Sequence, residues 1–539
     1  MNLCRRWQVA CRPFSKIPAV QPSIHSKTVD ESVTIDFRNT HVAFASKTTA
    51  ELFRAWLILY GCSFGSLVKR ADKLYKLSLS VLGSPVTHSI VKVSLFRHFC
   101  AGVDDRDIVG PIKKLEKFGV GGILDYAAEA HDEKPETAEV GEGKLPLKKS
   151  AQARVHAYAG ESKCEENANI FKHAVEAVHN VSPHGFAAIK VSGLGQPALM
   201  ERMSIALLEM ESLFGKLVGQ EGRAELNYEQ FLEGWKKYFK VSSEEQVRRE
   251  FERVDSDKDG LIDIFDWLSG FSLLDLPRLV SSCKDVGPLC RASLSEEEME
   301  QMKNLLRRCS EICELAANLK VRVMIDAEWT AIQPAIDSIV LAMQRRFNKP
   351  SPNLVVFGTY QTYLRGSLER LVRDLERSKR ENWTFGAKLV RGAYMVSELE
   401  RAGRLGIPSP VFSSYEETEA NFHAALTAVL TDASAELMVA SHNETTVKFV
   451  LKEMHRLGKS KNQVYFGQLL GMADHLTFTL AAHKYLSYKY IPYGPVDEVM
   501  PYLLRRTQEN STLLGTPAVV QERKMLYKEL RTRLFTPIF

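Results

Sequence analysis

Eight short apolar runs rich in β-branched residues, most of them followed by a stretch with helical spacing, constrain this chain more than any other feature. They fall at residues 122–126, 187–192, 321–327, 354–359, 386–391, 437–442, 464–469 and 488–492. Residues 333–347 and 445–457 are examples of the intervening helical stretches. Strands that alternate with helices pair in parallel. Eight such units predict an α/β fold, a closed (β/α)8 barrel of the TIM type, rather than an open doubly wound sheet. The successive runs are closely spaced except once: 134 residues separate the starts of the second and third, at Ala187 and Val321. That gap is too long for one strand–helix unit and predicts an insertion.

The rest of the chain divides around this pattern. Residues 1–29 carry five Lys or Arg (Arg5, Arg6, Arg12, Lys16, Lys27) and no acid before Asp30, the composition of a mitochondrial transit peptide. Residues 30–119 read as an N-terminal helical arm, with helices near 51–60 and 112–118. Residues 120–200 form the first part of the barrel, 201–317 a helical insertion, 318–515 the second part and 516–539 a C-terminal helix. A polar stretch at 131–150 reads as a surface loop.

Composition excludes some classes. Charged residues make up 25% and hydrophobic residues 45%, so global disorder is excluded. A net charge of +5 on 539 residues is too mild to argue for nucleic acid. No apolar run reaches the ~20 residues of a membrane span; the nearest lies at 57–64, flanked by Arg54 and Lys69. Peripheral membrane contact stays open. Nine cysteines with no C-x-x-C pair indicate a reducing compartment and inert thiols. Cys309 and Cys313 are one helical turn apart, but no further ligands stand at zinc spacing.

The insertion holds Asp255-Ser-Asp257-Lys-Asp259-Gly260-Leu261-Ile262-Asp263-Ile-Phe-Asp266, which matches the EF-hand loop. Asp255, Asp257 and Asp259 offer carboxylates, Leu261 a backbone carbonyl, and Asp263 and Asp266 the last two positions. Asp266 stands where Glu is usual and is one methylene shorter, so weak calcium binding is expected. Helices are expected at 243–254 and 265–272. A partner loop would begin at Gly219, 36 residues earlier, with Leu226 and Phe231 on the matching apolar positions and no acidic set. Gly193-Leu-Gly195-Gln-Pro-Ala198 satisfies a dinucleotide fingerprint, but no second mononucleotide half follows, and a tight turn at the barrel rim is the reading preferred. A nicotinamide enzyme is therefore a runner-up only.

In such barrels chemistry sits at the C-terminal ends of strands. There the sequence places Lys190, Asp326, Lys388, Arg391, Ser441, His442 and Tyr490. A lysine inside an apolar run needs a partner, and Asp326 is the expected one for Lys190. Beyond the last run, Tyr502, Arg505, Arg506 and Glu509 share helical spacing. Two adjacent guanidinium groups at a barrel mouth make a clamp for a carboxylate, because Arg forms planar bidentate pairs.

The segments FGAKLVRGAY (385–394), LMVASHN (437–443), VYFGQLLGM (464–472) and YKYIPYGPVDEVMPYLLRRTQEN (488–510) resemble the proline dehydrogenase family of the mitochondrial type, and 187–194 and 324–328 agree. The resemblance implies a distorted barrel that binds FAD non-covalently at its mouth. It implies oxidation of L-proline to Δ1-pyrroline-5-carboxylate, with electrons passed to ubiquinone on the matrix side of the inner mitochondrial membrane. Carried onto this sequence, Arg505 and Arg506 grip the proline carboxylate with Lys190 as a third positive group, and Asp326 orients Lys190. Tyr394, Leu469, Tyr490 and Tyr502 close an apolar cage round the ring. Lys388, often Arg in bacterial members, lies near the flavin. Val390, Gly392 and Ala393 let the backbone approach it. Ser441 and His442 serve its pyrophosphate or adenosine side, and Glu509 fixes an Arg and the ribityl region. Gly358 departs from a Gln or Asn common in the family, which removes an amide contact to the isoalloxazine there, and Gln361 is counted among the cofactor-binding residues. A bulky Tyr490 favours proline over hydroxyproline, leaving a hydroxyproline dehydrogenase as the alternative. A calcium-responsive scaffold with an inactive barrel is opposed by the intact Lys190, Asp326, Tyr502, Arg505 and Arg506.

Overall fold

A computed structural model describes residues 35–104, 106–127, 160–219, 224–350, 354–512 and 517–535. The basic segment at 1–29 and the polar stretch at 131–150 lie outside the described residues. Ten strands are present among them: β1 Val120–Tyr126, β2 Phe186–Ile189, β3 Leu226–Asn227, β4 Leu261–Ile262, β5 Arg322–Ile325, β6 Val356–Gln361, β7 Gly386–Val390, β8 Glu436–Ala440, β9 Val464–Leu469 and β10 Leu486–Tyr493. All but β3 and β4 close into one parallel barrel in the order β1-β10-β9-β8-β7-β6-β5-β2, with β2 returning to β1. The eight barrel strands coincide with the eight runs, shifted at their ends by a few residues.

Local sequence accounts for the elements. The strands are buried on both faces and read as continuous apolar stretches, as helix-covered parallel strands do. Helix Glu296–Leu319 opens on a capping box between Ser295 and Glu298, worth about 1 kcal/mol, and stops where Lys320 turns left-handed at φ 57°. Alternation along each strand divides the core. Ile123, Phe186, Met324, Phe357, Met438, Tyr465 and Tyr488 fill the barrel from within, and the opposite faces pack on the helices.

The insertion between β2 and β5 carries β3 and β4, which pair antiparallel with Leu226 opposite Ile262. Leu226 and Ile262 stand 36 residues apart, the same offset as Gly219 and Asp255. Helices Pro197–Val218, Tyr228–Tyr238, Glu244–Val254 and Ile264–Gly270 flank them. The insertion is fastened to the barrel layer by Arg377, which donates to the Leu268 carbonyl (2.8 Å), and by Ser269 on Glu381 (2.7 Å). At the other side of the barrel, helix Thr49–Gly61 packs on the C-terminal helix Pro517–Phe535.

Candidate active site

The C-terminal strand ends assemble two buried ion pairs. Lys190, one residue past β2, places its Nζ 2.9 and 3.2 Å from the carboxylate oxygens of Asp125 on β1. Lys388 on β7 donates to Asp326 Oδ1 at 2.6 Å, and the Tyr490 hydroxyl on β10 donates to Asp326 Oδ2 at 2.9 Å. The Lys388 ammonium also lies 5.1 Å from the centre of the Tyr490 ring. The expected orienting role of Asp326 toward Lys190 is thereby corrected. Asp326 holds Lys388 and Tyr490, while the carboxylate set on Lys190 is Asp125, which sequence reasoning missed. A signal was available: Asp125 is the acid in an apolar run and shares inward parity with Ile123.

Each pair is charge-balanced, which is what allows four ionic groups below the mouth of an apolar barrel. Burial lifts the Asp125 carboxyl, and the Lys190 ammonium draws it part of the way back. The Tyr490 phenol is pushed well above its ordinary value by burial and by the charges of Asp125 and Asp326, so it stays a donor.

Helix Met500–Thr512 follows β10, and its Tyr502 stands close enough to Tyr490 to push that phenol up further. The Arg505 and Arg506 guanidinium carbons stand 5.8 and 4.9 Å from the centre of the Tyr502 ring. Tyr502 and Arg506 are both buried. The Glu509 side chain lies outside the described residues. Tyr502 and Leu469 belong to one apolar cluster, with Tyr490 on the edge of the barrel interior. Tyr394 is placed elsewhere, in the cluster under the helices with Trp329 and Tyr363, and its amide donates to the Tyr363 hydroxyl at 3.1 Å. Of the expected cage, Leu469 and Tyr502 share one cluster, Tyr490 borders the barrel interior, and Tyr394 is anchored in the outer layer.

The neighbouring strand ends supply the other expected residues. His442 Nε2 accepts the Leu469 amide at 3.0 Å, so its proton stands on Nδ1. Burial, and then the charges of Lys489 and Arg506, push its pKa down to about 3, which makes it a neutral donor at working pH. The Ser441 carbonyl accepts from Gln468 (3.2 Å), and its hydroxyl accepts the Asn443 amide (3.1 Å). Gln361, last in β6, donates to the Glu328 carbonyl and the Tyr363 hydroxyl, both at 2.9 Å, and its buried Oε1 has no hydrogen-bond partner. Val390, last in β7, is half-buried; beyond it Ala393 is exposed, and Gly392 adopts φ +108° with open space where a Cβ would stand. Gly358 takes no part: a Cβ there would meet Val340 of the helix layer at 2.7 Å, so this position faces outward. The departure noted in the sequence therefore does not bear on the site.

Glu328 is a second residue that sequence reasoning missed. It is fully buried, accepts the Ser192 amide at 2.9 Å, and has an Oε2 with no hydrogen-bond partner. Burial pushes its pKa up to about 7. An acid whose folded pKa exceeds its unfolded value of ~4.3 costs stability as pH rises between the two, and the loss levels off above the higher one. Glu328→Gln keeps the acceptor and removes the titration. Its melting temperature relative to the parent should therefore rise as pH goes from 5 to 8, with an advantage of up to ~3 kcal/mol. A difference independent of pH would contradict the buried, titrating carboxyl.

The insertion carries the other cluster. Carboxylate oxygens of Asp255, Asp257 and Asp259 lie within 4.8 Å of one another. Asp255 is 8% exposed and its Oδ1 has no hydrogen-bond partner. Leu261, expected to offer its carbonyl, lies on β4 opposite Asn227, and the two remaining expected carboxylates are engaged otherwise. Asp263 caps helix Ile264–Gly270 and meets Arg380 at 2.6 Å. Asp266 accepts from Ser256 and from the Asp263 amide. Of the five carboxylates expected from spacing, the folded loop converges three.

Comparison with known proteins follows this geometry. A family model described as proline dehydrogenase matches residues 109–516. The chain is 37% identical to "Proline dehydrogenase 1, mitochondrial" of Drosophila melanogaster, covering 95% of this chain and 83% of that one. It is 36% identical to the Homo sapiens protein of the same name, covering 93% and 90%. It is 30% identical to Homo sapiens "Hydroxyproline dehydrogenase", covering 91% and 92%. Among solved structures, proline utilization A from Bdellovibrio bacteriovorus, inactivated by N-propargylglycine, aligns with a TM-score of 0.53 at 16% identity. That alignment covers 92% of this chain and 39% of the other, and it bears on the fold alone.

Proposed function

The chain belongs to the proline dehydrogenase family, and from that premise we propose how its barrel mouth oxidises L-proline to Δ1-pyrroline-5-carboxylate. The observation behind this reading is the adjacent Arg505 and Arg506 beside the Tyr502 ring, together with the paired lysines and aspartates at the strand ends and the closeness of Tyr502 to Tyr490.

The two guanidinium groups bind the substrate carboxylate, and Lys190, held on Asp125, adds a third positive group. Fixing one end of a small rigid molecule turns encounter into a near-attack geometry. Tyr490, Tyr502 and Leu469 press on the ring and exclude water. Asp326 holds both Lys388 and the Tyr490 hydroxyl, so the ion pair and the ring contact are positioned together. The cofactor is FAD, and the residues present fit it: an unpartnered buried acceptor at Gln361, open backbone at Gly392, and a neutral donor at His442. Val390, Ala393, Lys388, Ser441 and Glu509 complete the proposed holding set. When bound, the flavin supplies acceptance of the hydride from the ring carbon next to nitrogen. Tyr490, tied to Asp326, cannot swing aside to admit a 4-hydroxyl group, which supports proline over hydroxyproline. Electrons then pass to ubiquinone at the inner mitochondrial membrane, where the protein docks peripherally from the matrix side.

The test is spectroscopic. The purified protein should be yellow, and L-proline should bleach the flavin absorbance while 4-hydroxyproline does so far less. A colourless protein that gains no activity with added FAD would sink the reading.

Calcium is the second proposed ligand, at an EF-hand formed by Asp255, Asp257 and Asp259 and paired through β3 and β4. The buried Oδ1 of Asp255 supports it. With Asp263 and Asp266 engaged in capping, affinity is expected in the micromolar range or weaker. Calorimetry should give a weak binding isotherm that Asp255→Ala abolishes; identical isotherms for parent and variant would exclude the site.

A further inference from the structure

We propose that residues 71–96 form a helical hairpin that inserts into one leaflet of an anionic phospholipid bilayer and holds the barrel mouth against it. This names the element behind the membrane contact proposed above and rests on that reading. Among the described residues, one helical stretch, Ala71–Phe99, is 29 residues long and apolar enough to cross a membrane, yet only 11% of its most apolar window is buried. Sequence reading had placed the nearest apolar run at 57–64 instead.

The stretch is not a straight rod. Gly83 leaves helical geometry at φ 75°, ψ 165°, and Pro85 follows. Tyr75 and His88 would stand ~20 Å apart along one helix, at 1.5 Å per residue; their hydroxyl and Nε2 are 3.2 Å apart. Ser78 and Thr87 likewise meet at 2.9 Å. The chain therefore doubles back at Gly83 into two short antiparallel limbs.

Three properties of the hairpin fit a leaflet. Its outer face is apolar and exposed: Leu77, Val81, Leu82, Val86, Ile90 and Val93. Its polar side chains are satisfied within it. Ser78 bonds Thr87, His88 bonds Tyr75, Ser84 faces His88, and Ser80 and Ser89 donate to the carbonyls of Lys76 and Pro85. Hydrocarbon requires such internal pairing, and a hairpin in water does not. Its charges are confined to one end: residues 77–91 contain no Asp, Glu, Lys or Arg, while the base exposes Arg70, Lys73, Lys76, Lys92 and Arg97 against one acid, Asp72, which pairs with Lys76 at 2.9 Å. The uncharged part of each limb is six to eight residues, which is about 9–12 Å of helix. That is short of the ~30 Å hydrocarbon core but within half of it.

The base sets the orientation. Val91, Phe96, Phe99 and Ile58 lie in the same apolar cluster as Tyr502 and Leu469. A hairpin buried in lipid therefore brings the proposed substrate cage to the membrane surface. Phe53, Tyr60 and Phe64 are exposed beside it, as aromatic residues at an interface would be.

The test uses the full chain and flotation with vesicles of phosphatidylcholine, with and without phosphatidylglycerol. The parent should float, more strongly with the anionic lipid. Val81→Glu and Val86→Glu should lose roughly tenfold or more of the binding, Val81→Leu should keep it, and all three should retain proline-dependent reduction of a soluble dye. Lys73→Glu with Lys92→Glu should lose only the preference for anionic vesicles. Equal flotation of parent and Val81→Glu overturns the hairpin and leaves the membrane reading standing. A parent that floats with neither vesicle overturns both, while dye reduction reports separately on catalysis. A parent dimer that Val81→Glu converts to monomer, without vesicle binding, assigns the face to a second copy and overturns the proposal.

Discussion

Exchanging Arg506 for methionine should lower kcat/KM for proline roughly 30- to 150-fold, mostly through KM. Methionine keeps much of the apolar stem and removes only the charged fork, so packing over the Tyr502 ring is largely retained. What is lost is a charge-assisted hydrogen bond to the substrate carboxylate, worth ~2–3 kcal/mol in a water-poor pocket. Arg506 is buried, so water compensates little. Steady-state kinetics with proline and a soluble dye check this, and flavin content should be reported alongside. An unchanged kcat/KM would remove Arg506 from the clamp and with it the main argument for the substrate pose. A fall in kcat alone would place the side chain nearer to the reacting atoms than to the carboxylate.

The other large effect is expected at Asp125. Its carboxylate is 2% exposed in the side chain and its partner Lys190 is 12% exposed. Asp125→Ala takes a buried carboxylate away from the Lys190 ammonium, and breaking such a pair from one side typically costs ~3–5 kcal/mol. Urea unfolding should show a loss of that size. Substrate affinity should fall too, because Lys190 is no longer held toward the carboxylate site. Asp125→Asn, which keeps a hydrogen-bond acceptor but not the charge, should fall between the two. A loss below ~1 kcal/mol for the alanine variant would mean that the pair behaves like one exposed to solvent.

These residues show where sequence is informative and where it stops. Strand positions were legible because apolar runs bounded by turn residues state both length and burial. Parallel pairing followed from alternation, and the catalytic end followed from barrel geometry. Partner choice among the charges did not follow. Lys190 and Asp326 stand on adjacent strands β2 and β5, yet the ammonium meets Asp125 on the other side, because Lys388 and Tyr490 already occupy Asp326. Such choices depend on strand stagger, which a linear reading lacks. The same holds for Gly358, whose outward parity appears only when Val340 is seen against it. Asp266 looked like a ligand from spacing alone, whereas in the folded loop its oxygens are taken by Ser256 and Asp263. The hairpin at 71–96 was hidden for a different reason. Its uncharged stretch is too short to register as a span, and the reversal that makes it meaningful rests on one glycine.

β1 pairs with β10 through contacts such as Val120 opposite Ser487, almost the whole barrel sequence apart. The outer clasp is wider still, with Arg533 donating to the carbonyls of Phe44 and Lys47. A polypeptide delivered from its N-terminus therefore spends its synthesis as a curled ribbon whose first strand lacks its last neighbour. Closure waits for the final stretch of chain, so products truncated before β10 are expected to expose the unpaired edge of β1 and to aggregate.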